Sequence, residues 1–186
     1  DFRSAGFGKD VDDHMDSLPY LKSIPAAFAH VRATCGEKVE LLHDVHERIH
    51  PIEAVNLLKE LEEYRPFFIE DPLAPEQNGY FPLIRQHSSV PIAMGELFNN
   101  PHEWTGLITE RLIDFIRVHL SQVGGLTPSR KLATLAEYFD VRTAWHGPGD
   151  VSPVGHACNG HLDLAVHNFG IQEGPRFADA TREVFP

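Results

Sequence analysis

Three acidic residues, Asp44, Glu70 and Glu96, follow one another at intervals of 26 residues, and each closes a short apolar run. If those runs are neighbouring strands, about 4.8 Å apart, the three carboxylates converge within roughly 10 Å. Unpaired negative charges that close raise one another's pKa, and a divalent cation removes the conflict. An all-oxygen set with room for water and substrate suits Mg²⁺, with Mn²⁺ as the alternative, better than zinc. Any one of these acids could instead cap a helix or face solvent. The equal spacing of all three is what argues for a site.

Later runs carry polar residues at similar places. Arg117 sits in Phe115-Ile116-Arg117-Val118, His146 in Ala144-Trp145-His146-Gly147, and Glu173 in Gly170-Ile171-Gln172-Glu173. A buried arginine needs a partner, and a structural ion pair or a substrate contact would serve Arg117 equally well. His146 precedes Gly147-Pro148-Gly149-Asp150, a turn-forming stretch that can aim His146 and Asp150 into one site. His46 stands two residues after Asp44 and so shares its strand face. A competing motif overlaps it: His46-Glu47-Arg48-Ile49-His50 matches H-E-x-x-H, the helical zinc pair of metallopeptidases. That chemistry needs both histidines on one helix. Here the preceding run reads as strand, and Pro51 pushes His50 away from the α region, so the match reads as accidental.

The elements that must hold these residues alternate along the chain. Strand-like runs are predicted at 39–45, 66–69, 90–94, 115–120, 141–145 and 169–171, with helical stretches at 18–32, 51–63, 76–86, 101–110, 127–138 and 154–166. Pro51 suits a first helical turn, and Glu53 adds negative charge there. Such alternation calls for right-handed βαβ units. The runs are continuously apolar rather than alternating, as in a parallel sheet covered on both faces. An open doubly wound sheet and a (β/α)₈ barrel both fit. A barrel would place its chemistry at the strands' carboxyl ends. Residues 1–16 show no apolar period and read as a loop or cut edge; Gly6-Phe7-Gly8 lacks the strand and third glycine of a dinucleotide loop.

Composition narrows the class. The 186 residues carry 16 Lys+Arg against 27 Asp+Glu, a net charge of −11, which argues against nucleic acid or an anionic membrane as main partner. No apolar run approaches a membrane span, and no basic-then-apolar start resembles a signal peptide. Cys35 and Cys158 are too few for a disulfide framework or a thiolate zinc site. They read as reduced, buried small residues, which points to the cytoplasm.

Together, Leu41-Leu42-His43-Asp44-Val45-His46, Ile69-Glu70-Asp71-Pro72, Gly95-Glu96-Leu97-Phe98-Asn99, the run from His146 to Pro153 and Asn168-Phe169-Gly170-Ile171-Gln172-Glu173 resemble the barrel of the enolase superfamily. More narrowly they resemble the mannonate dehydratase family, which includes starvation-sensing homologues. The resemblance runs from about residue 17 to the end. It implies a (β/α)₇β-type barrel with a separate capping domain, and Asp44, Glu70 and Glu96 holding Mg²⁺. It makes His46 the acid that protonates the departing 3-hydroxyl, with Arg117, His146, Asp150 and Glu173 lining or supporting a sugar-acid pocket. A homo-oligomer is expected of the whole protein.

The chain departs from the family in length. The reading is of one partial barrel domain over residues 1–186, without the capping domain and first strands. The family's proton-abstracting Tyr/Arg pair lies upstream, and six strands leave sheet edges exposed because a barrel of eight cannot close from them. Pro148 replaces the smaller residue of efficient mannonate dehydratases, so the substrate sugar stays open between D-mannonate and D-gluconate. The chemistry implied is loss of the proton next to a carboxylate, with the resulting enediolate stabilised by the metal. An acid then protonates the β-hydroxyl so that water leaves, giving a 2-keto-3-deoxy sugar acid. Two alternatives stand beside it: a weakly active or regulatory homologue that keeps the ligands, and, more remotely, a zinc peptidase through His46 and His50.

Overall fold

A computed structural model describes residues 16–149, 151–174 and 177–185. Five short strands form a parallel sheet: β1 (Leu42–Asp44), β2 (Phe68–Glu70), β3 (Ile92–Met94), β4 (Phe115–Ile116) and β5 (Arg142–Thr143). They lie side by side in chain order, every neighbouring pair parallel. A doubly wound sheet reverses its order at a switch point. This order does not reverse, which selects the barrel wall of the two architectures that the sequence allowed. It is a partial wall.

Helices link and cover the strands: α1 (Ser17–Cys35), α2 (Pro51–Leu61), α3 (Phe81–His87), α4 (Pro101–Thr109), α5 (Leu126–Tyr138), α6 (Pro153–Ala165) and a short α7 (Asp179–Val184). Proline opens α2, α4 and α6, where its missing N–H costs nothing and its fixed φ already suits the helix. At α4 the Asn100 side chain accepts from the His102 N–H, and Glu103 returns a carboxylate to the Asn100 N–H, both at 3.0 Å. Such caps fix where each helix leaves the strand before it. Arg32 near the end of α1 donates to the carbonyls of Val39, Tyr64 and Arg65, tying α1 to the approaches of β1 and β2. Among the described residues no helix is long and apolar enough to cross a membrane.

Alternate strand residues pack on opposite sides of the sheet. Ile69, Ile92, Met94 and Ile116 join the larger core with helix residues such as Leu57, Leu58 and Ile108. Phe68, Ala93, Phe115 and Ala144 form a smaller cluster on the other side, the barrel interior. Burial on both faces explains why the strands read as continuous apolar runs. Two positions beyond Phe68, Phe115 and Ala144 stand Glu70, Arg117 and His146. The interior therefore changes from apolar to charged at the carboxyl ends of the strands.

Several expectations need correction. The sixth strand reduces to one parallel bridge between Thr143 and Phe169. Gly170 explains its tight fit: a Cβ there would lie 2.7 Å from the Phe115 ring and 2.8 Å from the Thr143 carbonyl. The helix expected at 76–86 is a 3₁₀ segment, Pro75–Tyr80, followed by α3; Gly79 and Pro82 interrupt the α ladder. α7 was not foreseen. Cys35 is exposed and Cys158 half-buried, both free. Cys35 ends α1, where the chain turns out to solvent at Gly36. Of the N-terminal stretch read as a loop or cut edge, only Asp16 is described; it caps α1, accepting from the Leu18 N–H at 3.0 Å.

Candidate active site

The carboxyl ends of the strands surround a cavity of about 470 Å³. Asp44, Glu70 and Glu96 line it with His46, and Arg117, His146 and Glu173 complete the rim beside Pro148 and Gly149. The sequence-predicted site residues thus come together, apart from Asp150, which lies outside the described residues.

The three acids reach this place by different routes. Asp44 and Glu70 are direct register partners on β1 and β2. Glu70 itself pairs with Ala93 on β3, so Glu96 stands three residues further along, in the turn after the strand. The even spacing in sequence is not an even register. Glu96 nonetheless joins both neighbours. Ligand atoms of Asp44, His46 and Glu96 lie within 4.8 Å of one another, and so do those of Glu70, Asp71 and Glu96. No helix covers His43–His50. His46 and Glu47 form a turn with φ of 57° and 56°, and His50 caps α2. The helical zinc pair is therefore not formed.

The contacts are dense and charged. His46 Nδ1 lies 3.1 Å from Asp44 Oδ2 and 3.3 Å from Glu96 Oε2. Arg117 forms an ion pair through Nε with Glu70 and another through Nη2 with Glu173 at 2.9 Å. Glu173 also accepts the Gly147 N–H at 2.8 Å. His146 Nε2 sits 3.6 Å from Glu96 and 4.0 Å from Glu173.

Burial sets the protonation of the acids. It pushes the Glu70 carboxyl up to about 7, although the Arg117 charge pulls the other way. Burial also raises Glu96, against the pull of His46. Burial opposes the charge on Arg117, but Glu70 and Glu173 outweigh it and hold its pKa above the ordinary value. Burial likewise works to raise Glu173, yet the Gly147 N–H and Arg117 bring it below the usual carboxylate range. Arg117 is shared between Glu70 and Glu173, and a bound cation would favour the charged forms of Glu70 and Glu96, which burial disfavours.

Two residues escaped the sequence reading. Asp71 is fully buried, and burial together with Glu70 drives its carboxyl well above the usual range. Glu47, in the turn beside His46, is pushed by burial up to about 7. The doubled acid in Glu70-Asp71-Pro72 was the available signal for Asp71. Glu47 lay hidden in the motif set aside as accidental.

A sequential parallel barrel wall with carboxylates at its strand ends is the architecture of an enolase-type C-terminal domain. The family described as enolase C-terminal domain-like matches residues 11–186, and the chain belongs to it. A D-galactonate dehydratase family member of Salmonella enteritidis is 55% identical over 173 residues, covering 93% of this chain and 41% of that protein. A member of the same family from Pantoea ananatis is 56% identical over 93% of this chain and 42% of its own length. Among solved structures, an enolase from Pantoea ananatis with bound D-gluconate and Mg superposes with a TM-score of 0.90 at 55% identity, over 91% of this chain and 41% of that one. A mandelate racemase/muconate lactonizing enzyme from Labrenzia alexandrii superposes at 0.79 with 28% identity, over 87% of this chain and 43% of that one. The chain thus spans about two fifths of the relatives it matches. Their names support the superfamily and its dehydratases. They do not carry the narrower likeness to mannonate dehydratases.

Proposed function

We propose that this chain provides the metal-holding and proton-donating part of a Mg²⁺-dependent acid-sugar dehydratase, with Asp44, Glu70 and Glu96 as the ligands. The observation that carries the proposal is the convergence of these carboxylates at the barrel mouth, where Glu96 has a ligand atom within 4.8 Å of one on Asp44 and of one on Glu70, and burial raises Glu70 and Glu96. An all-oxygen donor set of this kind fits a hard cation. The Pantoea ananatis structure, with D-gluconate and Mg bound, supports the same reading.

A bound Mg²⁺ would supply the positive charge that stabilises a substrate carboxylate as its neighbouring carbon loses a proton. The chain's own residues do the rest. Arg117, fixed between Glu70 and Glu173, keeps those carboxylates oriented and presents a cation to the cavity. His46 borders the same space and donates a proton to the β-hydroxyl, so that it departs as water. His146 lies across from it beside Glu96 and Glu173 and offers a hydrogen bond to a substrate hydroxyl. The sequence resemblance assigns removal of the first proton to a Tyr/Arg pair in a part of the family that precedes Asp1. Pro148 lines the cavity with His146, which makes the sugar's stereochemistry the property to test. D-gluconate and D-mannonate are the leading substrates.

The test is a screen of the intact protein against acid sugars with Mg²⁺, reading formation of 2-keto-3-deoxy acids. Turnover of one or both sugars that chelation abolishes is the expected result. Stoichiometric Mg²⁺ binding without turnover of any acid sugar would favour the regulatory homologue instead.

A further inference from the structure

We propose that Asp71 is a positioning residue that sets both turns carrying His46 and Glu96, a role resting on the metal site proposed above. Glu96 belongs to no strand, so something other than sheet pairing must hold it. Asp71 does so from the centre of the site. Its carboxylate accepts the Gly95 N–H at 2.7 Å and the Glu96 N–H at 3.4 Å. Its backbone N–H donates to the Ala93 carbonyl and its own carbonyl accepts the Glu47 N–H, both at 2.9 Å. One residue thus spans from the turn after β1 to the turn after β3.

The backbone geometry shows why the position calls for this residue. Asp71 has φ of 37°, a left-handed conformation that Asp tolerates better than most side chains. That bend turns the residue away from the interior line of Glu70 and lets its carboxylate meet the next turn. Gly95, its main donor, has φ of 139°, and a Cβ there would lie 3.2 Å from the Arg117 backbone, Phe98 and Val118. The Gly95–Glu96 turn therefore fits against the sheet, and the Asp71 carboxylate binds its two outward N–H groups. Although Asp71 lies within ligand distance of Glu70 and Glu96, both its oxygens are taken up by these amides. It acts through Glu96 rather than as a ligand.

The test uses the intact protein and two readouts. Mn²⁺ binding, followed by electron paramagnetic resonance with the metal alone, reports the site. Hydrogen exchange in the peptides spanning His46–Glu47 and Gly95–Phe98 reports the turns without any metal. Asp71→Asn keeps the size and one acceptor oxygen, whereas Asp71→Ala removes both. Asp71→Ala is expected to weaken Mn²⁺ binding by about 10–100-fold, the usual effect of losing a residue that orients a ligand, and to deprotect Gly95–Phe98. Asp71→Asn should recover most of both. In a Glu96→Gln background, Asp71→Ala should cause little further loss of Mn²⁺ affinity, because two residues acting as one unit are non-additive. Wild-type protection in both peptides together with Mn²⁺ affinity within about twofold of wild type would overturn the role. So would a loss in Asp71→Asn as large as in Glu96→Gln, which would make Asp71 a ligand. A wild-type protein that binds no Mn²⁺ would instead sink the metal site, and the exchange data would still judge the turns.

Discussion

His46 is the residue whose role separates chemistry from scaffolding. Its Nδ1 faces Asp44 and Glu96, but its side chain remains open to the cavity. In the intact protein His46→Asn should leave Mg²⁺ binding in place while lowering dehydration by at least about 10²-fold, the lower range for a lost proton donor. Dehydration at the wild-type rate would remove it from the mechanism. Glu70 makes a second residue-scale prediction. Its carboxyl is raised from 4.5 to about 7 by burial, so the metal-free folded state holds a proton that the unfolded chain has already released. Metal-free stability should fall as pH rises between those two values and level off above about 7. Mg²⁺ must displace the same proton, so apparent affinity should weaken by up to about tenfold for each pH unit below that point. Calorimetric titration at several pH values checks this, and a flat profile would contradict it. The spacing of Asp44, Glu70 and Glu96 made the acids legible in the sequence. How Glu96 reaches the site was not legible, because it depends on strand register and on a left-handed bend at Asp71.

At the scale of elements, short strands depend on what packs against them. Leu58 on α2 is fully buried in the core between helix and sheet, and Leu58→Ala should cost about 2–5 kcal/mol, read from denaturant unfolding of the intact protein. A loss well below that range would mean that the core refills the space. Gly170 is the opposite case. Gly170→Ala adds a methyl where the Phe115 ring and the Thr143 carbonyl leave no room, so it should destabilise by about 1–3 kcal/mol through overpacking. The alternation of apolar runs and helices revealed five strands and the helices between them, because burial on both faces writes a continuous apolar signal. The sixth run gave the same signal but yields one bridge. Its contacts are set by Gly170 and by the Asn168 carbonyl meeting the Thr143 N–H, which no local pattern encodes.

For the whole molecule, the wall is incomplete. Leu42 on β1 and Phe169 beyond β5 are 41% and 44% exposed, at opposite sides of the sheet where a barrel would continue. Open edges and apolar interior residues invite association. The 186-residue chain expressed alone should therefore sediment as concentration-dependent oligomers; a single monomeric species across concentrations would contradict this. Asp44, Glu70 and Glu96 are proposed to hold one hard cation at the mouth of the barrel. Anomalous diffraction from Mn²⁺-soaked crystals of the intact protein tests it most directly. One peak is expected, with an oxygen from each of the three carboxylates within coordination distance. A peak bound by His46 and His50, or the three carboxylates left without a metal at saturating Mn²⁺, would contradict it.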